Sequence, residues 1–79
     1  MTPAEAHILQ WLRTQAARRD RVLADAVNMG VVLSIETVPE SGWRVRVRSK
    51  RGVEHRLVIR QHPVTSEPTH YYREREEQS

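Results

Sequence analysis

The sequence contains no cysteine and no phenylalanine, and it has only three glycines and four prolines in 79 residues. Without cysteine the chain can form no disulfide, and it lacks the thiolate ligands of iron–sulfur clusters and of most structural zinc sites. It has no run of about 20 apolar residues, so we expect no transmembrane helix. The N-terminus does not show the basic segment followed by an apolar run that marks a signal peptide. These absences predict a small cytoplasmic protein.

Catalytic and cofactor-binding patterns are also missing from the sequence. The glycines stand apart, at positions 30, 42 and 52, so there is no glycine-rich phosphate loop. The histidines, His7, His55, His62 and His70, do not form the three- or four-residue pairs of helical metal sites. A core of this size leaves little room for a deep pocket. We therefore expect no catalytic residue, no metal and no cofactor, and we do not expect an enzyme.

The charge is unevenly distributed along the chain. Residues 1–65 carry eleven basic and six acidic side chains, whereas residues 66–79 carry two basic and four acidic ones. Twelve of the thirteen basic residues are arginine, whose planar guanidinium forms paired hydrogen bonds to phosphate or carboxylate. The body of the protein is therefore expected to attract an anionic partner.

Residues 3–29 have a helical pattern. Thr2 and Glu5 fit a capping box around Pro3, and apolar residues recur at helical spacing up to Met29. The pattern weakens at residues 18–21, so it allows one long helix or two helices with Asp20 capping the second. Gly30 would end the segment in the left-handed conformation.

Residues 31–61 alternate between apolar and polar side chains, which predicts three half-buried strands in an antiparallel meander. A three-residue hairpin loop at residues 50–52, with Gly52 left-handed, places Val45 opposite Leu57 and Arg46 opposite Arg56. A loop at residues 38–42 places Ile35 opposite Val45, Leu33 opposite Val47 and Glu36 opposite Arg44. Both hairpins then bury the same face, and the fold class is α+β.

The chain divides into a single compact domain at residues 1–64 and a charged tail at residues 65–79. Residues 71–77 could form a short helix or remain disordered. With three strands, the first strand and residues 53–61 would be the open edges of the sheet. Together with Val32 and Val58 on the polar face, these edges make a homodimer a further alternative.

The outer face of the predicted sheet is rich in arginine and is the candidate binding site. Because guanidinium groups bind phosphate oxygens, we expect sequence-tolerant binding of nucleic acid in a regulatory or accessory role. The candidate nucleic-acid-binding residues are Arg44, Arg46, Arg48, Lys50, Arg51, Arg56 and Arg60.

Trp43 is the only aromatic residue in the three predicted strands, and its parity points inward. We therefore expect phosphate contact with duplex DNA or RNA rather than base stacking. Glu36 and Glu54 could neutralise Arg44 and Arg48. A helix-turn-helix is disfavoured because residues 31–38 are rich in β-branched residues.

The competing hypothesis is a protein-interaction module. Such an inhibitor or adaptor, for example an accessory protein of a phage or mobile element, would place the basic face on an acidic partner surface.

Overall fold

The computed structural model describes residues 1–74 as two helices packed on one face of a four-stranded antiparallel sheet. The strands follow one another in the sheet in chain order. The elements are α1 (Pro3–Arg19), α2 (Arg21–Met29), β1 (Val31–Val38), β2 (Gly42–Arg48), β3 (Glu54–Gln61) and β4 (Pro68–Arg73). The α+β class is confirmed, but the sheet has one strand more than the sequence predicted.

The helical segment is divided at Asp20, which confirms the two-helix alternative. The capping box at the start of α1 is present, because Thr2 and Glu5 each accept a hydrogen bond from the other's backbone amide. At the break, the backbone amide of Asp20 still donates to the carbonyl of Ala16. The carboxylate of Asp20 accepts from the amide of Leu23, and this contact caps α2.

The core lies between the helices and the inward face of the sheet. Buried apolar side chains from α1 and α2 meet those of the two central strands, with Trp11, Trp43 and Tyr71 partly buried at the margin. The buried apolar residues are Ile8, Leu9, Leu12, Ala16, Leu23, Ala24, Ala26, Val27, Val45, Val47, Leu57 and Ile59.

The predicted register of β2 and β3 is confirmed, and that of β1 is partly wrong. Ile35 pairs with Val45 as expected, but Val32 rather than Leu33 pairs with Val47. The register shifts between Val32 and Ser34, which leaves Leu33 as the extra residue of a bulge. The bulge turns Val32 toward the core, so Val32 does not lie on the polar face.

The glycines at the element ends have different roles. Gly52 adopts a φ of 86°, the left-handed value predicted for the hairpin loop. The expectation for Gly30 was wrong, because its φ is −91°. A side chain at position 30 would instead collide with the carbonyl oxygen of Arg48. Close approach of α2 to β2 therefore requires this glycine.

β4 lies in the stretch that the sequence assigned to the tail. It pairs antiparallel with β3, so β3 is not the open edge that the sequence predicted. The inward ring of Tyr71 meets Trp11 edge-on at 6.3 Å between ring centroids, and the guanidinium of Arg19 lies over it at 5.1 Å. Residues 71–73 are thus strand rather than helix, and residues 75–79 lie outside the described residues.

None of the helices within residues 1–74 has the length and apolar character needed to cross a membrane.

Candidate nucleic-acid interface

The face of the sheet opposite the helices, called here the outer face, carries the arginines that the sequence singled out. Strand alternation places Arg44, Arg46 and Arg48 of β2 on it, and these side chains are exposed. The confirmed register sets Arg46 beside Arg56 and Gly42 beside Arg60 on β3. Lys50 and Arg51 are exposed in the loop that joins the two strands. All seven candidate residues therefore lie on or at the end of one surface.

On the outer face, Glu54 links an arginine of β2 to one of β3. Its carboxylate accepts two hydrogen bonds from Arg46, at 3.0 and 3.1 Å, and one from Arg56 at 2.7 Å. The hydrogen bonds from Arg46 and then from Arg56 lower the pKa of Glu54 to about 2, so it is ionised at neutral pH. The like charges of Arg46 and Arg56 would repel each other across the strands, and this shared carboxylate offsets the repulsion.

The acidic partners on this face differ from those that the sequence suggested. Glu54 lies opposite Arg48 in the register but bonds Arg46 and Arg56 instead. The carboxylate of Glu74, just after β4, pairs with Arg44 at 3.1 Å. Glu36 is exposed and forms no ion pair with any residue between 1 and 74. Glu74, the residue that follows β4, thus supplies the counter-ion that the sequence assigned to Glu36.

The hairpin end of the outer face has cations without a carboxylate partner. Arg48, Lys50 and Arg51 are all exposed, and none forms an ion pair within the part of the chain that the structure describes. The loop itself is fixed by hydrogen bonds between Ser49 and both Gly52 and Val53. The positive charge at the tip of this hairpin is therefore exposed to solvent.

At the other end of the face, β4 contributes aromatic side chains that the sequence did not predict there. The hydroxyl of Tyr72 accepts a hydrogen bond of 2.7 Å from Arg60, whose guanidinium lies 5.6 Å from the ring centroid. The ring of His70 is beside that of Tyr72, at 6.4 Å between centroids. The sequence signal for β4 was limited to the alternation of Tyr71 and Tyr72, and two residues are too few to predict a strand. The expectation that no strand aromatic faces outward was wrong.

A shallow hollow of about 420 Å³ lies between Arg44, Arg60 and Tyr72. Val58 pairs with Arg44 on one side and Tyr72 on the other, and it provides an apolar floor. Gly42 has the same parity as Arg44 and adds no side chain to the outer face. The hollow combines an apolar floor, an aromatic wall and a charged rim.

The inward side of β3 and β4 carries a polar network instead. His55 is 6% exposed, and its Nδ1 lies 2.9 Å from a guanidinium nitrogen of Arg73, which also donates to Asp20 at 2.8 Å. Since a guanidinium only donates, Nδ1 accepts and the proton of neutral His55 is on Nε2. Burial, and then the charge of Arg73, lower the pKa of His55. Burial opposes ionisation of Asp20, but bonds from Leu23 and Arg73 outweigh it and lower its pKa.

This network predicts that the protein loses stability on mild acidification. Below pH 6.5, the ordinary pKa of histidine, the unfolded chain binds a proton at His55 that the folded chain resists. The contribution of neutral His55 to the free energy of unfolding is therefore fully present above pH 6.5. It decreases as the pH falls toward the lowered pKa of the folded protein. We expect the melting temperature to fall by a few degrees between about pH 7.5 and about pH 5.5.

The test compares thermal melts of His55→Gln and the parent protein across this range. His55→Gln should lower the melting temperature throughout but flatten its dependence on pH. His70→Gln, which replaces an exposed histidine, should keep the parental slope. A slope unchanged by His55→Gln would contradict the prediction.

A second basic patch, formed by Arg18, Arg19 and Arg21, does not extend the outer face. It surrounds the junction of α1 and α2, on the side of the sheet that the helices cover. The guanidinium of Arg19 forms a cation–π contact with the inward ring of Tyr71. This patch is therefore not part of the basic surface that the seven candidate residues form.

Among residues 1–74, no group of three or more histidine, aspartate or glutamate side chains could hold a metal ion. Comparison of the chain with protein-family models, with curated proteins and with solved structures finds no match. The function must therefore be argued from the geometry of the protein itself.

Proposed function

We propose that the protein is a small non-catalytic binding protein of the cytoplasm that binds nucleic acid in a sequence-tolerant manner, in a regulatory or accessory role. The observation that carries this proposal is the outer face, which no element within residues 1–74 covers. Among these residues, seven basic side chains lie on it or at its end, against the three carboxylates of Glu36, Glu54 and Glu74. Phosphate contact by guanidinium groups needs no particular base sequence. The site consists of Arg44, Arg46, Arg48, Lys50, Arg51, Arg56 and Arg60.

The ion pairs divide these residues into two groups. Arg44, Arg46 and Arg56 already contact carboxylates, and phosphate must compete with Glu74 or Glu54 for them. Arg48, Lys50, Arg51 and Arg60 have no such competitor among the described residues. They are therefore expected to supply most of the phosphate contacts.

The deciding experiment is fluorescence anisotropy of labelled random DNA and RNA, duplex and single-stranded, at several salt concentrations. Four cations without competitors predict a slope of log affinity against log salt of roughly −3 to −4. We expect micromolar binding at low salt that weakens steeply as salt is added. Failure of every nucleic acid to bind at low salt would disprove the proposal.

A protein partner is the second candidate, and one observation favours it. Val22, Met29 and Val53 are exposed around a groove of about 450 Å³ between α2 and the β2–β3 hairpin, beside Lys50 and Arg51. Apolar side chains next to cations that have no carboxylate partner among residues 1–74 suit an acidic partner with apolar anchors. A module of this kind would not bind random nucleic acid at physiological salt.

A homodimer remains a prediction that is compatible with both candidates. β1 is an edge of the sheet, and Val31 at its start is exposed. Pairing of two such edges would make thermal stability depend on protein concentration.

A further inference from the structure

We propose that the hollow beside Tyr72 binds an unpaired nucleobase, an inference that rests on the proposed nucleic-acid binding. The protein would then favour single strands over a perfect duplex. This differs from the duplex contact expected from the sequence, which assumed that no aromatic side chain faces outward from the sheet.

The first support is the placement of Tyr72. Its side chain stands on the open face of β4 and is 41% exposed, although Arg60 already lies against its ring. The hydrogen bond from Arg60 to the hydroxyl holds the ring in one orientation. An exposed ring fixed in this way can stack on a base without first losing much conformational freedom.

The second support is the apolar floor of the hollow. Val58 lies between the outward side chains of Arg44 and Tyr72, and Val38 and Gly42 also line the hollow. A side chain at position 42 would collide with the carbonyl oxygen of Ile59, so the close pairing of β2 and β3 keeps this position empty. A flat, largely apolar group fits such a floor better than a hydrated phosphate does.

The charges around the hollow separate the base from its phosphates. Glu74 lines the hollow, and its negative charge would repel a phosphate there, although Arg44 partly neutralises it. Carboxylate oxygens can accept hydrogen bonds from the amino groups of bases. Arg60, at the rim, has no carboxylate partner within residues 1–74 and can contact the adjoining phosphate. The hollow therefore suits a base inside and the backbone outside.

The test compares two labelled DNA strands of about 15 nucleotides. One has a random sequence, and the other has the same backbone with abasic sites throughout. Affinities are measured by anisotropy at about 50 mM salt for the parent protein, Tyr72→Ala and Tyr72→Phe. The abasic strand retains every phosphate, so the ratio of the two affinities isolates the contribution of the bases.

We expect the parent protein to bind the normal strand about fivefold or more tightly than the abasic strand. Tyr72→Ala should reduce this ratio to near one with little change in affinity for the abasic strand. Tyr72→Phe keeps the ring and should retain most of the ratio. Thermal melts of the variants check that each is folded.

Two results would overturn the inference. One is a ratio near one for the parent protein, which decides the question even if a variant fails to fold. The other is equal weakening of both strands by Tyr72→Ala. In either case, salt-dependent binding of the abasic strand would leave the nucleic-acid proposal standing. If neither strand binds at low salt, this inference is wrong, and the nucleic-acid proposal is wrong as well if duplex DNA and RNA also fail to bind.

Discussion

Glu54→Gln should make the protein bind nucleic acid more tightly and fold less stably. The carboxylate of Glu54 is shared by Arg46 and Arg56, which lie opposite each other on adjacent strands. An amide cannot replace it, because a neutral oxygen is a weaker acceptor for two guanidinium groups and the amide nitrogen is a donor. The repulsion between the two arginines would then be less well compensated, and the melting temperature should fall.

The same substitution releases cations for phosphate. Arg46 would lose its carboxylate partner, and Arg56 would lose one of the groups that compete with phosphate for it. The slope of log affinity against log salt should steepen by up to about 2, and affinity at about 50 mM salt should rise on the order of tenfold. Anisotropy with random-sequence strands measures the slope, and thermal denaturation measures the loss of stability.

Glu36→Gln is the matched control for Glu54→Gln. It makes the same change of charge on the same face, but Glu36 forms no ion pair with the described residues. We expect only a small rise in affinity and no loss of stability. Equal effects of the two substitutions on affinity would mean that net charge, rather than release of the paired arginines, determines binding.

The second large effect is expected at the hairpin tip. The double reversal Lys50→Glu and Arg51→Glu removes two exposed cations that have no carboxylate competitor among residues 1–74. The fold should tolerate it, because neither side chain belongs to the core and the loop is held by Ser49, Gly52 and Val53. Affinity at about 50 mM salt should fall tenfold or more, and the salt slope should become shallower by about 2.

Arg18→Glu with Arg21→Glu provides the control for the tip. It changes the net charge by the same amount, at exposed positions on the helical side of the protein. If the outer face is the interface, this control should weaken binding much less than the tip reversal does. Similar losses in the two double variants would indicate attraction by net charge alone and would argue against the assigned interface.

Local chemistry allowed much of the fold to be predicted from the sequence. The capping box, the helical spacing of the apolar residues and the β alternation of residues 31–61 are properties of neighbouring residues along the chain. Pairing of apolar with apolar side chains then gave the register of β2 and β3, since a shift by one residue would expose every inward side chain. The outward arginines of β2 and β3 followed from the same register, and Lys50 and Arg51 from the predicted hairpin loop, so all seven candidate residues could be identified from the sequence.

Tertiary structure decided the features that depend on distant residues. β4 has too few apolar side chains to be recognised alone, and it is a strand because Tyr71 meets Trp11 and Arg19 while its backbone pairs with β3. The bulge at Leu33 likewise depends on how β1 fits beside β2. A local pattern shows which face a side chain takes, but the partner of a charge depends on the strand that lies next to it. For this reason the sequence predicted the arginines of the outer face, whereas only the folded chain assigned Glu54 and Glu74 as their partners and placed Tyr72 beside Arg60.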